Sequence, residues 1–153
     1  MRTKISKQKI NALSLFASAG IGEFYLKTIG VNVKVANELL KSRSDIYEQL
    51  YPKSKMICGD ITESETYKTI IKKAKKEQCK LIIATPPCQG MSVAGKMDTN
   101  DPRNKLIISV IDAIIDLDAD FALIENVIGM LKFVIKVDGQ WIKITDYILG
   151  KLD

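Results

Sequence analysis

Apolar runs rich in β-branched residues alternate with amphipathic segments along this chain, the pattern of βαβ units built on a parallel sheet. Strands are predicted near Ile10–Phe16, Val33–Asn37, Lys55–Cys58, Leu81–Thr85 and Phe121–Glu125, with helices between them at about Ile21–Ile29, Ser42–Leu50, Ser64–Lys76 and Asn104–Asp116. Every strand but the third runs closely into Gly, Pro or a polar residue, so the carboxyl ends open into loops. In an open doubly wound sheet that edge binds ligands. The tail changes the rhythm: Phe133 to Val137 alternates, Asp138-Gly139 is a type I′ turn, and Gln140 to Lys143 returns. That pattern predicts a β-hairpin with a short helix or frayed end behind it.

The chain has 153 residues, 46% hydrophobic and 27% charged. These values fit one compact domain over 1–153, a doubly wound, mostly parallel α/β sheet, without repeats or linkers. No stretch approaches the ~18 apolar residues of a membrane span, and the basic Met1-Arg2-Thr3-Lys4 start leads into polar residues rather than an apolar signal core. A cytoplasmic protein with no membrane partner is expected. Cys58, Cys79 and Cys88 are odd in number, lack C-x-x-C spacing and have no histidine to join them, since the chain has none. Neither a disulfide framework nor a metal site is expected. The net charge of +5 suits a polyanionic partner but adds little by itself. Lys72, Lys73, Lys75 and Lys76 cluster on a helical pattern opposite Ile70, Ile71 and Ala74, and read as a solvated face.

Candidate chemistry concentrates at the loops. Ser14 to Glu23, between the first strand and helix, is rich in small residues (Ala17, Ser18, Ala19, Gly20, Gly22) that let backbone N–H groups approach a ligand, although such turns also serve packing. The second strand ends in Asn37-Glu38, placing an acid where it can accept from two ribose hydroxyls. After the third strand, Asp60 in Gly59-Asp60-Ile61-Thr62 can accept from an adenine amino group with Ile61 packed on the ring. Equally, Asp60 or Thr62 can be an N-cap for the following helix. Cys88 lies in Thr85-Pro86-Pro87-Cys88-Gln89-Gly90, a proline-stiffened loop at the end of the fourth strand, where a thiol is exposed to act as a nucleophile once its pKa is lowered. Cys58 and Cys79 read as buried small hydrophobes. The fifth strand brings Glu125-Asn126-Val127 to the same edge, so an acid converges with the thiol.

In order and spacing, these blocks resemble the N-terminal part of the cytosine-C5 DNA methyltransferase family over nearly the whole chain. Phe16-Ala17-Ser18-Ala19-Gly20 resembles its cofactor loop, Asn37-Glu38 its ribose acid, Gly59-Asp60-Ile61 its adenine contact, Pro87-Cys88-Gln89 its catalytic loop, Asp101-Pro102-Arg103 the segment after it, and Glu125-Asn126-Val127 its glutamate motif. The resemblance implies a Rossmann-like fold and an S-adenosyl-L-methionine site formed by Phe16, Ala17, Ser18, Gly20, Ile21, Glu38, Leu39, Asp60, Ile61 and Pro87. It also implies catalysis on a flipped cytosine by Cys88 and Glu125, with Asn126 orienting the loop. Gln89, Ser92, Lys96 and Arg103 become candidates for contacts to double-stranded DNA or for positioning the loop, with surface decoration as the alternative.

Several positions depart from the family pattern. Ser14 stands where an aspartate is common, Ser18 and Ile21 replace glycines of the cofactor loop, and Leu39 follows Glu38 where an aromatic often stacks on adenine. Nothing after Glu125 resembles the family's Gln-x-Arg-x-Arg segment, its target-recognition region or its closing helix. The sheet is therefore expected to be truncated after the fifth strand, whose free edge the Phe133–Lys143 hairpin is placed to cover in part. A fragment or one subunit of a split restriction-modification enzyme, inactive alone and completed by a C-terminal polypeptide, follows from the resemblance. An RNA cytosine-C5 methyltransferase and a non-catalytic cofactor-binding module stay open beside it.

Overall fold

The computed structural model describes residues 9–87 and 101–152. Five parallel strands, β1 (Ile10–Leu15), β2 (Val31–Glu38), β3 (Lys55–Cys58), β4 (Leu81–Ala84) and β5 (Phe121–Ile124), form one sheet in the order β3-β2-β1-β4-β5. Helix α1 (Lys41–Leu50) joins β2 to β3, α2 (Ser64–Lys76) joins β3 to β4, and α3 (Leu106–Leu117) precedes β5. Crossovers of one hand that run in opposite directions from the middle of the sheet place their helices on opposite faces. Accordingly α2 and α3 pack side by side, and the Tyr67 hydroxyl of α2 donates to Asp116 of α3.

Alternation along the strands separates the faces. Leu13, Leu15 and Val35 enter the main core with Ile70 and Ala74 of α2 and Ile107, Val110 and Ile111 of α3. Ala12, Ser14 and Ala36 are also buried but fall outside that core cluster, and register sets Ser14 beside Ala36. Burying a leucine or isoleucine in such a core contributes about 1.5–3 kcal/mol, so the continuous apolar runs of β1 and β4 account for their central places.

Two predicted elements came out differently. The Ile21–Ile29 helix is instead a pair of 3₁₀ turns, Ile21–Glu23 and Leu26–Ile29, bracketed by Gly20 and Gly30 in the left-handed region. Its apolar residues Ile21, Phe24, Tyr25 and Ile29 are exposed, so no stripe is buried to stabilise an α-helix of this length. The Asn104 helix begins as a 3₁₀ turn over Pro102–Lys105 before α3 starts.

The hairpin forms as predicted, β6 (Val134–Val137) pairing antiparallel with β7 (Gln140–Lys143) through Asp138 and Gly139, both at positive φ. The segment after it is a helix, α4 (Ile144–Leu152). The hairpin does not cover the sheet edge: it is a separate sheet, α4 packs on α3, and Phe121 and Leu123 stay 60% and 57% exposed. Among the described residues nothing pairs with the outer side of β5, and no described helix is long and apolar enough to cross a membrane.

Candidate active site

The strand order reverses direction between β1 and β4, so the loops at their carboxyl ends flank the crevice where such sheets take ligands. The two loops are tied together there. Thr85 N–H donates to Leu15 O at 3.3 Å, and its hydroxyl donates to Phe16 O at 3.1 Å.

The loop after β1 turns sharply. Phe16, Ser18 and Gly20 lie at φ of 59°, 51° and 78°. Left-handed backbone costs a residue with a Cβ roughly 1–2 kcal/mol, a cost that Phe16 and Ser18 bear and Gly20 avoids. The loop is held to the end of β2 by two bonds. Ala17 N–H donates to Asn37 O, and Ser18 N–H donates to Glu38 Oε2, both at 2.9 Å. Ile21, at the second departure from glycine, sits in the first 3₁₀ turn with its side chain in solvent.

Glu38 is buried at the end of β2, and its other oxygen accepts from Leu40 N–H at 2.9 Å, at the start of α1. A carboxylate offers about four acceptor positions, so two remain for a vicinal diol such as ribose. Leu39 beside it is exposed, and presents the apolar surface a base would need. Asn37 Nδ2 donates to Ile57 O and Gly59 O at 2.9 and 3.0 Å, and so ties the end of β3 to β2. Asp60 Oδ1 accepts from both the backbone N–H and the hydroxyl of Thr62 at 2.8 Å, closing a turn of its own. Neither Asp60 nor Thr62 caps α2, whose N-cap is Glu63. Ile61 departs from the expected packing on an adenine ring: it is 3% exposed and belongs to the core cluster.

On the other flank Glu125 follows β5, its N–H donating to Ala84 O at 2.9 Å. Its side chain is exposed. Asn126 Nδ2 donates to Pro86 O at 3.3 Å, and its Oδ1 accepts from Val127 N–H at 2.8 Å. This amide joins the Glu125 segment to the proline loop that leads, through half-buried Pro87, to Cys88. Cys88, Gln89, Ser92 and Lys96 lie outside the described residues. Arg103 lies on Asp101, which accepts from its backbone N–H and its guanidinium. That pairing holds the Asp101 carboxyl down at about 2.

Of the other cysteines, Cys79 is buried and its thiol is pushed up to about 12 by that burial. Cys58 departs from expectation. It is exposed, because β3 is the outermost strand of the sheet and, among the described residues, no strand pairs on its far side. Three residues that shape the site went unread in the sequence: Glu23, Tyr47 and Tyr51. The only trace of the tyrosines there is their i, i+4 spacing on a helix.

Residues 10–144 match the family of C-5 cytosine-specific DNA methylases. The chain belongs to that family. Methylases of this family use S-adenosyl-L-methionine, and the spare acceptor capacity of Glu38 fits the ribose of that group. Similar proteins include the type II methyltransferase M1.HgaI of Avibacterium volantium, 45% identical over 139 residues, which are 88% of this chain and 39% of the relative. The type II methyltransferase M.FnuDI of Fusobacterium nucleatum is 38% identical over 120 residues, 78% of this methylase chain and 33% of its own. A crystal structure of a Spodoptera frugiperda DNMT2 mutant shares the fold, with a TM-score of 0.66 over 94% of this chain and 40% of that one at 23% identity. The methylase chain thus spans between a third and two-fifths of the length of these relatives.

Proposed function

We propose that this chain is the cofactor-binding and nucleophile-bearing part of a DNA cytosine-C5 methyltransferase of a cytoplasmic restriction-modification system. The observation that carries the reading is the convergence on one sheet edge of Glu38, the Pro86-Pro87 loop and Glu125, with Asn126 bonded to Pro86 O. S-adenosyl-L-methionine, bound between the Phe16–Ile21 loop and Glu38, with Leu39, Asp60 and Pro87 around it, would supply an electrophilic methyl group for C5 of the base.

The protein's part is nucleophilic and acid–base. The Cys88 thiolate forms a bond to C6 of a cytosine flipped from double-stranded DNA, while the Glu125 carboxyl shares its proton with N3 and so takes up the electron density pushed into the ring. That addition makes C5 nucleophilic. After methylation the C5 proton leaves to a base, the C6–sulfur bond breaks, and the thiolate is restored. Asn126 holds the Glu125 and proline loops in register, and Gln89, Ser92, Lys96 and Arg103 face the nucleic acid.

The reading includes a further C-terminal polypeptide, continuous or separate, that supplies target recognition. Its support is the open edge of β5, with Phe121 and Leu123 exposed, and the share of its relatives that the chain spans. The test is transfer of labelled methyl from S-adenosyl-L-methionine to cytosine-containing duplex, with the chain alone and with the C-terminal part of a relative added. Transfer should require the added part and be abolished by Cys88→Ser. Transfer that survives Cys88→Ser would refute the mechanism, and no transfer with any complementing polypeptide would refute the function.

A further inference from the structure

The cofactor loop is braced from below by the last turn of α1. Tyr51 O–H donates to Gly20 O at 2.6 Å, and Tyr47, fully buried, donates to Glu23 Oε2 three residues further on. The two rings stack at 4.7 Å between centroids with a 34° tilt. They press on the loop closely: a Cβ at Gly20 would lie 2.2 Å from Tyr51 Cε2 and 3.0 Å from the Tyr47 ring. Glu23 is itself 6% exposed, and its other oxygen, Oε1, is buried without a hydrogen-bond partner among the described residues.

Three left-handed residues in five are unfavourable without outside support. Glu38 supplies it at Ser18 N–H, and through Leu40 N–H the same carboxylate fixes the start of α1. The tyrosines fix the far end of α1 to Gly20 and Glu23. Loop and helix are therefore clamped at two points. We propose that Tyr51, Tyr47 and Glu23 are positioning residues for the cofactor loop, acting through Gly20 to hold its backbone in the ligand-receiving shape. This rests on the methyltransferase reading only in naming what the loop receives.

The test is residue-resolved amide exchange on the full chain, for wild type, Tyr51→Phe and Tyr47→Phe, beside equilibrium dialysis with labelled S-adenosyl-L-methionine. The amides of Ala17, Ser18, Gly20 and Glu23 should exchange at least about fivefold faster in Tyr51→Phe, the scale of one lost hydrogen bond. Those of β1 and β4 should stay within twofold, and the cofactor dissociation constant should rise by a similar factor. Unchanged loop exchange in both variants overturns the proposal, as does acceleration spread evenly over the sheet, or cofactor binding by Tyr51→Phe as tight as wild type. Faster loop exchange in a chain whose wild type binds no cofactor upholds the brace and counts against the function proposed for the loop, so the two fail separately.

Discussion

Replacing Glu38 by glutamine removes one negative charge and one hydrogen-bond acceptor without changing size. In the native chain each carboxylate oxygen accepts from a backbone N–H, Ser18 on one side and Leu40 on the other, and the group is 5% exposed. Hydrogen bonds to a charged partner are worth about 1.5–3 kcal/mol each, and neutral ones about 0.5–1.5. An amide has one acceptor oxygen, so Glu38→Gln keeps one of the two bonds in weakened form and sets its NH2 group against the other N–H. The expected loss is about 2–4 kcal/mol, somewhat reduced because burying an amide costs less than burying a charge. Against a typical total of ~5–15 kcal/mol for a domain, that is a large fraction. Urea unfolding followed by far-ultraviolet circular dichroism, without cofactor, measures it as a lower midpoint at unchanged slope. A Glu38→Gln chain within about 0.5 kcal/mol of wild type would show that the two N–H bonds do not hold the loop. The result also bears on function, since a Glu38 variant that fails to bind cofactor has lost the shape of the loop as well as the ribose contact proposed for Glu38.

Two further outcomes depend on pH. Burial raises the Glu23 carboxyl above its usual 4.5 despite its bond from Tyr47. The folded chain therefore holds that proton more tightly than the unfolded one, and the associated stability, full below 4.5, is lost as pH rises through the folded value; measured against Glu23→Gln, wild type should lose ground as pH increases from 4.5, and parallel stability profiles for the two would contradict this. Asp101 behaves oppositely, because Arg103 lowers its carboxyl from 3.8 to about 2: the difference between wild type and Asp101→Asn in thermal unfolding should be constant above pH 3.8 and shrink as pH falls toward 2, and a difference that persists at the acid end would show that the pairing is not its source.

Much of this arrangement was readable because strands and loops carry strong local signals. The five strands follow from their apolar runs, and the hairpin from Asp138-Gly139, whose positive φ values only such a pair adopts readily. What stayed hidden depends on neighbours in space. Cys58 looks like any buried thiol until β3 is known to be outermost. The Ile21–Ile29 segment has apolar residues enough for a helix, but two glycines in left-handed conformation and the want of anything to bury against leave it as 3₁₀ turns. Asn126 lies next to Glu125 in the chain, yet its bond to Pro86, 40 residues away, exists only because β4 and β5 are adjacent. The brace under Gly20 is of the same kind, made between segments 31 residues apart.

The outer side of β5, which no described strand pairs with, also carries a pattern of side chains. Phe121 and Leu123 stand on one face and Ala122 on the other, bulky, small, bulky. A neighbouring strand that slips by one residue would exchange its two faces, setting its large side chains over the wrong one. The order of side chains along this short edge thus bears on the alignment of any strand that pairs with it.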